Sequence, residues 1–130
     1  MVKLEMIKDN NGHDHLMYII DHAEIFRMME LGKFGPGVCD GCNESILETG
    51  EPNMYLNPEL RDSYCHECSS KYFKRMKHYK EDIKYLSEFV KNIPEYYEFN
   101  LTEEDKNMVD NYVKYLNKLE EILPETEQGE

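Results

Sequence analysis

Cys39-Asp40-Gly41-Cys42 and Cys65-His66-Glu67-Cys68, two CxxC pairs with 22 residues between them, decide how the rest of the chain is read. Two residues between cysteines let both thiolates reach one tetrahedral ion about 2.3 Å away. The separation of the pairs is close to that of four-cysteine zinc sites. Gly41 permits the tight turn in which backbone N–H groups face sulfur. Four thiolates leave no open position for water, so the expected ion is one structural Zn2+ and not a catalytic one. A redox-sensitive thiol cluster is the alternative reading of the same residues. His66 replaces a cysteine as ligand only where that cysteine turns away.

Upstream of the cysteines, Lys3 to Lys8, the turn Asp9-Asn10-Asn11-Gly12 and Leu16 to Ile20 read as a β-hairpin. Asp21 is placed to cap a short helix carrying Ile25, Met28 and Met29, closed by Gly32 and Gly35-Pro36-Gly37. Between the cysteine pairs, Ser45-Ile46-Leu47 and Met54-Tyr55-Leu56 fit two short strands joined by a turn. Beyond Cys68, Tyr72, Met76, Tyr79, Ile83, Leu86 and Val90 alternate at spacings of 4 and 3, with Phe73 and Phe89 widening the stripe. That spacing predicts one long amphipathic helix, ended by Pro94 and the segment Glu95-Tyr96-Tyr97-Glu98-Phe99.

Thr102 followed by Glu103, Glu104 and Asp105 starts a last helix, whose stripe Met108, Tyr112, Tyr115, Leu119 and Ile122 stops at Pro124. Two such stripes predict an antiparallel helical hairpin with an aromatic seam, the tyrosine hydroxyls reaching its edge. The expected fold class is α+β. Residues 1–35 give an N-terminal β-hairpin and short helix, 36–70 the four-cysteine finger, 71–123 the helical hairpin packed with the finger as one domain, and 124–130 a disordered tail.

Gly37-Val38-Cys39-Asp40-Gly41-Cys42, Ile46, and Tyr64-Cys65-His66-Glu67-Cys68 resemble the zinc finger of treble-clef and zinc-ribbon proteins. Within that group they are similar to the finger of the DksA/TraR family of RNA-polymerase-binding regulators, over 37–68. The resemblance implies Cys39, Cys42, Cys65 and Cys68 as zinc ligands. The family's coiled coil precedes its finger, whereas the long helices here follow it. Only the ligand role therefore carries over.

The 130 residues carry 15 basic and 27 acidic side chains, a net charge of −12 that repels nucleic acid at long range. Residues 69–92 run against this trend with 7 basic and 3 acidic side chains. Lys71, Lys74, Arg75, Lys77, Lys80 and Lys84, with His78, form that basic island, a candidate phosphate-binding or partner surface on the helix 71–84. The bland reading is a solvated face that pairs with the acidic terminal helix. His13, His15 and His22, with Asp14 and Asp21, suggest a second metal site, although a polar hairpin surface is the expected outcome because no ordered spacing links them. No nucleophile-and-base pattern or phosphate-cradling loop is visible, so the chain is not expected to be an enzyme.

No run approaches the length needed to span a bilayer, and the N-terminus lacks a signal-peptide core, so a cytoplasmic location without membrane contact is expected. A single alanine, no tryptophan, ten tyrosines and ten asparagines favour AT-rich codons. That bias points to a low-GC bacterium or to a phage or mobile element within one, and then to host cytoplasm. The expected function is a non-catalytic zinc-binding interaction module, in its most specific form a small phage protein that inhibits or redirects a host protein such as a nucleic-acid-binding machine. The alternative is a nucleic-acid-binding transcriptional regulator using the basic helix.

Overall fold

The computed structural model describes residues 2–34 and 37–123, so the Gly35-Pro36 breaker, the Pro124 stop and the tail expected over 124–130 lie outside the described residues. The N-terminal hairpin forms as read: β1 (Val2–Lys8) pairs antiparallel with β2 (Asp14–Asp21). The Asp9 carboxylate builds the turn by accepting from the N–H groups of Asn11 at 2.7 Å and His13 at 3.0 Å. Gly12 supplies the left-handed residue, with φ +84°.

The sheet then continues across the expected boundary at residue 35. β3 (Asn53–Asn57) pairs with β2, and β4 (Asp62–Tyr64) pairs with β3, giving an all-antiparallel order β1-β2-β3-β4. Met54-Tyr55-Leu56 is thus a strand as read, but Ser45-Ile46-Leu47 is not. Only a single bridge, Val38 to Ser45, remains there, and 46–50 are turns. Register places Val2, Leu4, Tyr18, Ile20, Met54 and Leu56 on one face, where all are buried. Tyr18 meets Phe99 on that face at 5.3 Å between ring centroids. α1 (His22–Glu30) packs against β2 and β3. Asp21 caps it by accepting from the Glu24 N–H at 3.0 Å. Ile25 and Met28 are fully buried, each worth about 1.5–3 kcal/mol of apolar burial.

The single long helix expected after Cys68 is two helices. α2 (His66–Arg75) ends at Met76, which is extended at φ −68° and ψ 159°, and α3 (Lys80–Tyr96) starts afresh. Size argues for the break, since a continuous helix over 66–96 would run about 46 Å, well beyond the roughly 30 Å of a small domain. Tertiary bonds fix its place: the Asn10 N–H donates to the Lys74 carbonyl at 2.8 Å, and the Asn57 amide reaches the Met76 sulfur at 3.1 Å. α2 lies against β1, β3 and β4, while α3 runs beside α4 (Glu103–Ile122). Tyr79, assigned to the seam from its spacing, is instead exposed at the break.

Pro94 does not end α3 but sits inside its last turn. The stop comes later, at Glu98, which takes a left-handed φ of 54°. There the Glu98 N–H donates to the Glu95 carbonyl at 3.1 Å and the Phe99 N–H to that of Pro94 at 2.8 Å, satisfying the last carbonyls of the helix. Thr102 caps α4 as read, accepting from the Asp105 N–H at 3.1 Å. The helical hairpin is therefore present, with Ile83, Val90, Ile93, Val109, Leu116 and Leu119 buried. The Tyr112 hydroxyl, however, faces the interior and not the edge.

Candidate metal centre

Residues 39–43 form a knuckle. The Gly41 N–H donates to the Cys39 sulfur at 3.3 Å, and the Asn43 N–H to the Cys39 carbonyl at 2.8 Å. Asn43 reverses the chain at φ 66°, and the Cys39 N–H closes the loop on the Glu44 carbonyl at 2.9 Å. Cys65 is the cap of α2, its sulfur accepting from the Cys68 N–H at 3.5 Å. One ligand pair therefore comes from a knuckle and the other from a helix start. The four Sγ atoms lie within 4.8 Å of one another, a set that can hold one metal ion.

Two residues that spacing did not flag bring the pairs together. The Asp40 N–H donates to the Ser63 carbonyl at 2.7 Å, and the Ser63 N–H donates back to the Asp40 carboxylate at 2.7 Å. The Ser63 hydroxyl also donates to the Val38 carbonyl at 3.1 Å. The knuckle is thus docked on β4, two residues before Cys65. Gly41 is needed for close approach: a Cβ there would sit 3.0 Å from both Cβ and Sγ of Cys68. His66 is exposed, with its ring against Tyr55, and does not join the cysteines.

The sulfurs cannot share negative charge unaided. Burial opposes ionisation of Cys39, but N–H groups of Cys65, Cys42 and Gly41 turned on its sulfur outweigh it and bring its pKa down to about 7. Cys68 is pushed up to about 12, first by burial and then by the neighbouring thiols. At Cys42 the Glu44 N–H pulls downward, yet burial and Cys39 leave the group raised. A divalent cation among the sulfurs would remove this conflict by favouring every thiolate at once.

The basic island is not on one helix. Lys71, Lys74 and Arg75 ride on α2, Lys77 lies in the break, and Lys80 and Lys84 belong to α3, so the basic helix expected over 71–84 is interrupted. Lys71 faces Glu67 at 3.8 Å, and Lys84 lines a groove with Lys91 and Glu120 of the helical hairpin. Of the N-terminal histidines, His22 bonds the Glu51 carbonyl and His13 stays at the turn. His15 is not on a polar hairpin surface: it is fully buried and meets Glu59, given no site role from the sequence, and His78, read there only as part of the basic island. The apolar run Leu16-Met17-Tyr18-Ile19-Ile20 held a signal for this, because a strand apolar on both faces is covered on both, and His15 goes inside with it.

No family model matches the chain, and no curated protein or solved structure does either. Among the described residues, no helix is long and apolar enough to cross a membrane.

Proposed function

We propose that the protein is a non-catalytic module, braced by one structural zinc ion at Cys39, Cys42, Cys65 and Cys68, that acts by binding another protein. The knuckle-plus-helix-start arrangement supports a finger of treble-clef type, and four sulfurs would saturate the ion, leaving no position for a reacting water. The observation that carries the binding role is an aromatic face along α3. Tyr85 is 81% exposed, and beside it Leu60, Tyr79, Phe89 and Tyr96 also reach solvent. The Arg61 guanidinium lies 4.4 Å from the Phe89 ring centre and 5.0 Å from that of Tyr96. Tyrosine and arginine on a shared surface are the side chains that most often anchor protein interfaces.

The net charge of −12 favours a basic partner. In its most specific form, the protein is a phage or mobile-element product that occupies a basic, nucleic-acid-binding surface of a host factor. The nucleic-acid-regulator reading is weakened by the interruption of the helix that was to carry it.

The test sets two variants side by side. A Tyr85→Glu/Phe89→Glu double variant is expected to lose a stoichiometric protein partner recovered from a bacterial host extract. Lys74→Glu/Arg75→Glu/Lys77→Glu is expected to retain that partner. Tight, steeply salt-dependent binding of wild type to short DNA or RNA, lost in the lysine variant, would overturn the proposal in favour of a regulator.

A further inference from the structure

Three segments distant in sequence meet at one point in the core: the start of β2 with His15, the β3–β4 turn with Glu59, and the α2–α3 break with His78. The side chains of His15 and His78 have no solvent exposure, and that of Glu59 has 2%. The two imidazole rings stack with centroids 4.1 Å apart.

The hydrogen bonds around the rings fix their protons. His15 Nε2 lies 2.8 Å from Asp9 Oδ2, and His78 Nε2 lies 3.0 Å from the Asp14 carbonyl oxygen. Both partners are acceptors, so each Nε2 carries the hydrogen, and in a neutral ring Nδ1 is left with a lone pair. Both Nδ1 atoms lie near the Glu59 carboxylate, His15 at 3.5 Å from Oε2 and His78 at 3.8 Å from Oε1. Neither has a hydrogen-bond partner, and both distances exceed the range of a real N–H···O bond. Two buried lone pairs facing a carboxylate repel it. Protonating both rings instead stacks two cations face to face in the core. Protonating His15 alone seats it between the Asp9 and Glu59 carboxylates but still leaves the buried His78 Nδ1 lone pair facing Glu59, whereas one cation between the three donors satisfies all of them at once.

We propose that His15 Nδ1, His78 Nδ1 and the Glu59 carboxylate form a second, buried site for a divalent first-row transition ion, with zinc as its reference occupant. In a tetrahedral site with bonds of about 2.0–2.1 Å, neighbouring donors stand about 3.3–3.4 Å apart, and the donors here lie within 4.8 Å of one another, so closure asks the three side chains to draw inward. The outer contacts are those that metal-bound histidines use. Asp9 holds His15 by its far nitrogen while its own carboxylate is pinned by two backbone N–H groups, and the Asp14 carbonyl holds His78. Tyr112 donates to Glu59 and orients it. Two imidazoles and one carboxylate suit zinc or iron(II) better than calcium or magnesium. The inference does not depend on the binding role proposed above.

The test counts ions in the full chain loaded with Zn2+ and dialysed free of excess. Wild type should carry two ions per chain, and a thiol-specific mercurial should release one and leave one. His78→Ala and Glu59→Gln should each carry one ion, all of it mercurial-released. With Co2+ as probe, both variants should keep the thiolate charge-transfer band and lose the weaker nitrogen-oxygen bands. One ion per chain in wild type, released entirely by the mercurial, overturns the proposal without touching the cysteine site. One ion that the mercurial leaves in place supports it while removing the cysteine reading. These wild-type counts decide the matter even where a variant fails to fold.

Discussion

The cysteine cluster and the histidine-glutamate cluster each gather side chains that could hold a metal ion from separated parts of the chain, yet they are built on opposite plans. The first is local in its halves: each CxxC pair is set by its own turn, and only the docking of the knuckle on β4 is long-range. Its outer member, Cys42, is exposed. The second draws one residue from each of three segments, is sealed from solvent, and has no local geometry of its own. A site of the first kind can assemble before the fold is complete, whereas the second exists only once the sheet, the turn and the break are all in place.

The largest effect should come from the cysteines. Cys68→Ser is expected to lose the ion of that site and several kcal/mol of stability, since in small modules metal-binding energy is folding energy. Metal content and urea unfolding measured together check this, and a metal-free variant with the wild-type midpoint would break the comparison. A middle-sized effect should come from Tyr112→Phe, which removes the hydroxyl that donates to buried Glu59. The expected cost is about 1–3 kcal/mol in urea unfolding, with cysteine-held metal unchanged. Cost-free replacement would mean that Glu59 does not need this donor. The smallest effect should come from Asn43→Gly in the knuckle, a gain of a few tenths of a kcal/mol because its φ of 66° suits glycine. A loss of stability there would show that the asparagine side chain, and not the backbone angle, sets the knuckle.

The two clusters also differ in how far they could be read in advance. Cysteine chemistry is specific and its spacing is short-range, so all four candidate ligands come together as expected. His15, Glu59 and His78 each have an unremarkable local reading: a histidine beside a turn, an acid after Asn57-Pro58, a member of a basic run. Nothing in their spacing joins them, because strand register and the interruption of the helix do the joining. The same cause explains the errors in the fold. Propensity and periodicity correctly place the hairpin, α1 and α4 with its Thr102 cap. They run α2 and α3 together because an apolar stripe contains no information about the bond from Asn10 to Lys74 that stops the first helix. Pro94 misleads because its missing N–H removes a single intrahelical bond, which the helix survives by running on to Tyr96 before the left-handed Glu98 turns the chain away.

The break at 76–79 works as a ruler. α2 is pinned at its first turn by Cys65 and Cys68 and at its far end by the Asn10 bond, so the number of residues from there to His78 fixes where that ring lands. Adding or removing one residue in this stretch would carry His78 away from His15 and Glu59 together. The exposed turn at Thr49-Gly50, where a Cβ on the glycine would meet nothing within 4 Å, sets no such distance. Chain length is thus constrained at one connection and free at the other, and lineages of this protein should record their insertions accordingly.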